Sequence, residues 1–259
     1  MVRLTDYDVL LVDLDGVVWL GSKVLEDNVR ALREAQGSGV EVVFVTNNST
    51  RTRRYYAWKL SSLGLSASEE TIVTSGYAAA SWLAGRVGGG NVYVVGEEGL
   101  AVEAYLAGLN VVDLSEALRG RVDAVVAGLD RLFSYSKGRA ALRALEAGAL
   151  FVAANEDHVL PTSSGLDPGA GAVVAFLERA SGRRPDFVAG KPSPYMVELA
   201  LRGRSGRALV VGDRLDTDVE MASRAGLDAL LVLTGLTREP PREAPPSLRG
   251  VVSTLLEAL

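Results

Sequence analysis

Residues 9–19 read VLLVDLDGVVW. Val9–Val12 have the apolar, branched character of a strand covered on both faces of a sheet, yet Asp13, Asp15 and Gly16 follow at once. A carboxylate at the end of a buried strand is costly unless it is partnered or used. The same form recurs along the chain. VEVVFV (40–45) runs into TNNST (46–50), and the run 208–211 enters GDRLDTD (212–218). GKP (190–192) precedes a helix start at Ser193 and Pro194.

Outward from these segments, short runs of Val, Leu and Ile alternate with helical patterns. Helices are expected over 27–36, 51–64 and 215–226, and a further strand over 229–233. This is the pattern of an α/β protein whose parallel sheet carries helices on both faces. The middle of the chain has its own rhythm, with strands at 91–95, 123–127 and 150–154 and helices near 100–107 and 136–147. RVGGG (86–90) and SGRRPD (181–186) have the composition of crossings between domains. The expected organisation is a discontinuous core, 1–84 plus 186–259, interrupted by a smaller α/β domain at 85–185.

Composition narrows the chemistry. The 259 residues are 48% hydrophobic and 23% charged, with a net charge of -5, no Cys and one His, His158. That balance suits a compact chain with a substantial core. It argues against a nucleic-acid footprint, and no run of apolar residues is long enough to span a membrane, so the expected location is the cytoplasm. Without Cys there are no disulfides, thiolate nucleophiles or zinc-thiolate sites, and one His cannot supply both a catalytic base and a histidine metal cluster. Carboxylates, hydroxyls, basic side chains and a hard cation remain. Only Lys23, Lys59, Lys137 and Lys191 are lysines among 27 basic residues, which draws attention to Lys191.

Each polar cluster alone has an ordinary explanation: a turn, a helix cap, a solvated lysine, an acidic first helical turn. Their ordered recurrence at strand ends is what carries meaning, because ligands of open parallel sheets gather beyond the carboxyl ends of the strands. Converging carboxylates repel unless protonated or bridged by a cation, and an oxygen-only donor set suits Mg2+. Hydroxyl and amide donors with an ammonium suit phosphoryl oxygens.

Taken together, DLDGVVW, VTNNS, GKPSPYM and VGDRLDTD resemble the four motifs of the haloacid dehalogenase (HAD) superfamily of phosphatases, in its NagD-like or 4-nitrophenylphosphatase branch with a C2-type cap. The resemblance spans nearly the whole chain. It implies a HAD-like Rossmannoid core with an inserted cap, and a Mg2+-dependent phosphatase of small phosphomonoesters acting through an aspartyl-phosphate. Asp13 would be the nucleophile, and Asp15 the acid for the leaving oxygen and then the base for water. Mg2+ would be held by Asp13 and Asp213 side chains and the Asp15 carbonyl, with Asp218 in the outer shell and Asp216 a bystander. Thr46, Asn47 and Lys191 would hold the phosphoryl group. In the cap, NEDHVLPTSSGLDPGAG (155–171) matches the substrate-facing loop in position, making Asp157 and His158 leaving-group candidates. The resemblance also suggests a homodimer through the cap. Two other functions fit the same motifs: a phosphate-binding regulatory protein without turnover, and a phosphotransferase or mutase.

Overall fold

The computed structural model describes residues 2–119, 121–162 and 165–259, without the side chains at 161 and 162. In chain order come β1 (Val9–Val12), the hairpin β2 (Trp19–Leu20) and β3 (Lys23–Val24), α1 (Glu26–Gly37), β4 (Glu41–Thr46), α2 (Arg53–Ser62), β5 (Ile72–Thr74) and α3 (Ser75–Val87). There follow β6 (Asn91–Val95), α4 (Glu98–Leu106), β7 (Asn110–Val112), α5 (Leu114–Leu118), β8 (Ala124–Ala127), α6 (Tyr135–Glu146) and β9 (Leu150–Ala153). The hairpin β10 (Val159–Thr162) and β11 (Gly165–Pro168) leads to α7 (Ala170–Ser181), β12 (Phe187–Val188), α8 (Tyr195–Ala200) and β13 (Ala208–Gly212). The chain closes with α9 (Glu220–Ala225), β14 (Asp228–Val232) and β15 (Leu248–Val252).

These elements form two compact units, residues 1–46, 53–73 and 191–259 in one, and 47–52 and 74–190 in the other. The first holds a six-stranded sheet in the order β15-β14-β13-β1-β4-β5. Its central strand pairs in parallel with β13 on one side and β4 on the other, Val12 lying level with Val211 and Phe44. All four residues of β1 are buried, as a strand sandwiched between two neighbours and two helical layers must be. Leu10, Phe44, Leu32, Leu60 and Leu209 belong to one buried apolar cluster. The chain winds outward from β1 to β4 and β5, and later from β13 to β14 and β15 in the opposite direction. The point where the order reverses therefore lies between β1 and β13, where a crevice opens at the carboxyl ends of the strands.

The second unit has its own parallel five-stranded sheet, β12-β9-β8-β6-β7, and its own core around Val95, Val125, Phe151 and Leu177. Its boundaries differ from the 85–185 read from the sequence, because both flanks are tied into it. Helix α3 packs along α4, and Trp82 of α3 stacks on Phe187 of β12 with ring centroids 4.4 Å apart and planes at 4°. Such stacking adds to the burial of both rings.

One expected helix starts irregularly. Residues 215–226 open as a π-helical turn, Leu215–Val219, in which the Val219 N–H donates to the Arg214 carbonyl five residues back, and only then become α9. No helix among the described residues is long and apolar enough to cross a membrane. Phe44 is fully buried beside β1, so Phe44→Ala is expected to cost about 3–5 kcal/mol of unfolding free energy in a denaturant titration.

Candidate active site

The first unit brings Asp13, Lys191, Asp213 and Asp218 together at the carboxyl end of its sheet. Asp13 leaves β1 and Asp213 leaves the adjacent β13, so the parallel register alone sets the two carboxylates side by side. Asp218 comes from the π-helical turn, and Lys191 from the loop that enters α8. All four are buried, with 1–7% of their surface exposed. Lys191 Nζ lies 2.7 Å from Asp13 Oδ1 and 2.6 Å from Asp218 Oδ1. Oxygens of Asp13, Asp213 and Asp218 all fall within 4.8 Å of one another, the only such group of acidic or histidine side chains among the described residues.

The backbone distributes donors among these carboxylates unevenly. Asp13 Oδ1 accepts from the Leu14 N–H at 2.8 Å, and Asp218 Oδ2 from the Arg214 N–H at 3.2 Å. Asp213 Oδ2 accepts from the Leu236 N–H at 2.6 Å, but Asp213 Oδ1 is buried with no hydrogen-bond partner among the described residues. An anionic oxygen left so is costly unless a cation meets it. Three carboxylates against one ammonium leave two negative charges in excess, the charge a divalent ion supplies. The donor set is all oxygen, as Mg2+ prefers, so the residues fit that ion.

Electrostatics follow the same geometry. Burial pushes the Asp13 carboxyl well above its usual range, opposed by Lys191 and reinforced by Asp218 and Asp213. Burial, with Asp218 beside it, raises Asp213 to about 6, partly offset by the Leu236 N–H and Lys191. Burial alone would lower the Lys191 ammonium, but Asp13 and Asp218 outweigh it and hold the group above its ordinary range.

The four side chains approach closely because glycine flanks them. A Cβ on Gly16 or Gly235 would overlap the Asp213 carboxylate, and one on Gly212 the Asp218 carboxylate. Gly16 also adopts φ of 91°, a left-handed conformation that side chains resist.

Asp15 is held differently. The backbone bends at Leu14 instead of staying extended, and Leu14 O accepts from the N–H groups of Val18 and Trp19. Trp19 Nε1 donates to Asp15 Oδ1 at 3.0 Å, while Lys59 Nζ sits 3.5 Å from the centre of the Trp19 ring. Thr46 is buried at the end of β4, next to β1. Asp216 pairs with Arg214 at 2.7 Å and is largely exposed.

Asn47, Asp157 and His158 belong to the second unit. Asn47 Nδ2 donates to Asp157 Oδ2 at 3.1 Å, and the Asn47 carbonyl accepts from Ser75 Oγ and Asn155 Nδ2, each at 2.6 Å. His158 is exposed and lines a cavity of ≈490 Å³ with Glu156, Glu178 and Arg184. Asn155, Ser75, Trp19 and the 234–237 segment were not marked by the sequence. Only Asn155, two residues before Asp157 in the same polar loop, carried a local signal.

Known proteins share this arrangement of elements. Residues 10–110 match the haloacid dehalogenase-like hydrolase family, and residues 188–258 the HAD-hydrolase-like family. A p-nitrophenyl phosphatase from Archaeoglobus fulgidus superposes with a TM-score of 0.88 at 33% identity, over 98% of this chain and 99% of that one. The chain belongs to the haloacid dehalogenase-like hydrolases, in the NagD/p-nitrophenyl phosphatase family with a C2 cap. It is a HAD-type phosphatase, and its separate five-stranded parallel sheet is the cap sheet. The D-glycerol 3-phosphate phosphatase of Mycobacterium tuberculosis is 46% identical over 233 residues, which cover 89% of this chain and 64% of that one. The structure of the glycerol phosphate phosphatase of that organism in complex with magnesium has a TM-score of 0.81 at 44% identity, covering 91% of this chain and 70% of that one.

The raised Asp213 pKa has a definite sign. Its ordinary value is near 3.8 and its folded value about 6, so its contribution to stability is fully present below the first and lost as pH rises through the second. In metal-free phosphatase, Asp213→Asn should therefore gain stability relative to wild type between pH about 4 and 6, by thermal unfolding. Added Mg2+ should raise the wild-type Tm above pH about 6 and leave that of Asp213→Asn nearly unchanged.

Proposed function

We propose that this phosphatase cleaves small phosphomonoesters by phosphorylating Asp13. The observation that carries the assignment is the Lys191 ammonium held by both Asp13 and Asp218 beside the unmatched Asp213 oxygen. Lys191 opposes the protonation that burial favours at Asp13, and so favours the ionised carboxylate that a nucleophile requires. Its oxygen forms the bond to phosphorus as the ester P–O bond breaks, and Asp15 gives its proton to the leaving oxygen. Asp15 then takes a proton from the water that attacks the acyl phosphate, restoring the Asp13 carboxylate.

Lys191 remains against the nucleophile throughout, offsetting charge when Asp13 is ionised and when it is phosphorylated. Thr46, which ends β4, and Asn47, which follows it, are assigned to the phosphoryl oxygens. Asp213, whose Oδ1 has no hydrogen-bond partner among the described residues, and Asp13 would hold Mg2+ with the Asp15 carbonyl. When bound, that ion would neutralise charge on the phosphoryl oxygens. The hydrogen bonds of Asp218 to Lys191 and Arg214 suit it to positioning and the outer shell.

The substrates are small phosphorylated metabolites. Glycerol phosphate heads the series to be tested, since a relative nearly half identical is a D-glycerol 3-phosphate phosphatase. Nucleotides, phosphoglycolate and sugar phosphates complete it. Selection among them is assigned to the cap, with Asp157, fixed by Asn47, and His158 as its leaving-group contacts.

Asp13→Asn should lower Mg2+-dependent phosphate release by roughly three orders of magnitude or more, and substantial remaining turnover would refute the nucleophile. Asp15→Asn should slow glycerol phosphate about a hundredfold, and 4-nitrophenyl phosphate far less, because nitrophenolate leaves without a proton. Equal losses on both esters would exclude the acid role.

A further inference from the structure

The loops that carry the carboxylates are joined by two residues outside the carboxylate cluster. Asn28, on α1, is 1% exposed, and its Nδ2 donates to the Val17 carbonyl at 2.8 Å and to Thr234 Oγ1 at 3.1 Å. The Thr234 hydroxyl donates in turn to the Gly16 carbonyl at 2.6 Å. Asn28 Oδ1 accepts from the Leu255 N–H at 2.8 Å, so its amide is pinned from both ends.

On one side of this bridge is the turn after β1, three residues from Asp13. It is closed by the Gly16 N–H donating to the Trp19 carbonyl at 2.6 Å. On the other side is the segment after β14. There Gly235 packs against the Asp213 carboxylate, and the next residue, Leu236, donates its N–H to Asp213 Oδ2. The same turn brings Gly16 against Asp213. Thr234 thus fastens the Asp13 loop to the segment that grips Asp213, and Asn28 anchors that fastening to α1 and the C-terminal turn.

The geometry points to Asn28 and Thr234 as positioning residues that set the spacing of Asp13 and Asp213 for a divalent cation. This rests on the metal reading given above. Asp213 Oδ1 has no hydrogen-bond partner among the described residues, so affinity for the ion depends on how firmly that oxygen is held relative to Asp13. Groups that orient ligands from behind the coordinating atoms commonly change metal affinity by 10–100-fold when removed. Thr234→Val keeps the shape of the side chain and deletes the hydroxyl. It takes the Thr234 donor from the Gly16 carbonyl and leaves the Asn28 amide only its bond to the Val17 carbonyl, and so uncouples the two loops.

The test is calorimetric titration of Mg2+ into the EDTA-stripped protein, alongside the Mg2+-induced shift in Tm. Thr234→Val should bind Mg2+ about tenfold more weakly than wild type, with a smaller Tm shift. Thr234→Ser, which retains the hydroxyl, should restore both. Thr234 is only half-buried, and Thr234→Ala provides the same deletion should the valine variant not fold. A Mg2+ affinity within twofold of wild type in the hydroxyl-deleted variant would overturn the proposal, whatever the change in basal Tm. Wild-type protein that takes up no Mg2+ would overturn the metal reading itself, and the positioning role with it.

Discussion

Lys191 is the group on which the site depends. Its ammonium is the only cationic side chain in contact with Asp13 and Asp218 among the described residues, and each contact is short and shielded from water. Without it, three carboxylates would share a buried volume less than 5 Å across. With it, the protonation that burial favours at Asp13 is opposed, and Asp218 is turned toward the same ammonium with its other oxygen held by the Arg214 N–H. The remaining deficit falls on Asp213, whose carboxyl is raised to about 6 and whose Oδ1 is unmatched. Removing one partner of such a buried pair costs more than forming the pair gains, because an uncompensated charge remains. A divalent cation would complete the charge of this arrangement.

The sheet exists, in functional terms, to deliver these charges. Reversal of strand order between β1 and β13 puts two strand ends next to each other, and each end is followed by an aspartate. Glycines at 16, 212 and 235 then let the backbone lie directly against the carboxylates. The π-helical turn at Leu215–Val219 belongs to the same design, since a helix broken this way at its start presents Asp218 to Lys191 while α9 continues behind it. Local irregularity is concentrated where the charges meet.

Much of this was legible in the sequence for a physical reason. A strand buried on both faces has to be a continuous apolar run, so VLLV, VVFV and ALVV announce the centre of the sheet, and the first polar residue after each marks its functional edge. The adjacency of Asp13 and Asp213 follows from that edge, whereas Lys191 enters from the loop before α8. Short edge strands such as β7 and β12 were harder to read, because two or three residues carry no periodicity. The turn at Leu14 also escaped, since a residue buried by a bend looks the same in sequence as one buried in a strand. Asn28 and Thr234 were invisible for a different reason: they act through backbone carbonyls more than ten residues away, and a polar residue on a helix or after a strand gives no sign of such a bond. The division into units was read by loop composition, whereas packing of α3 and the Trp82–Phe187 stack draws it elsewhere.

The central claim is that the carboxylate at the end of β1 becomes covalently phosphorylated while Lys191 and its neighbours hold the charge. Acid quenching during turnover of 4-nitrophenyl phosphate with Mg2+, followed by borohydride reduction and peptide mass spectrometry, tests it directly. The account predicts homoserine in place of aspartate at position 13, dependent on substrate and lost when Mg2+ is chelated. Reduction at another residue, or no reduced residue while phosphate continues to be released, would contradict it.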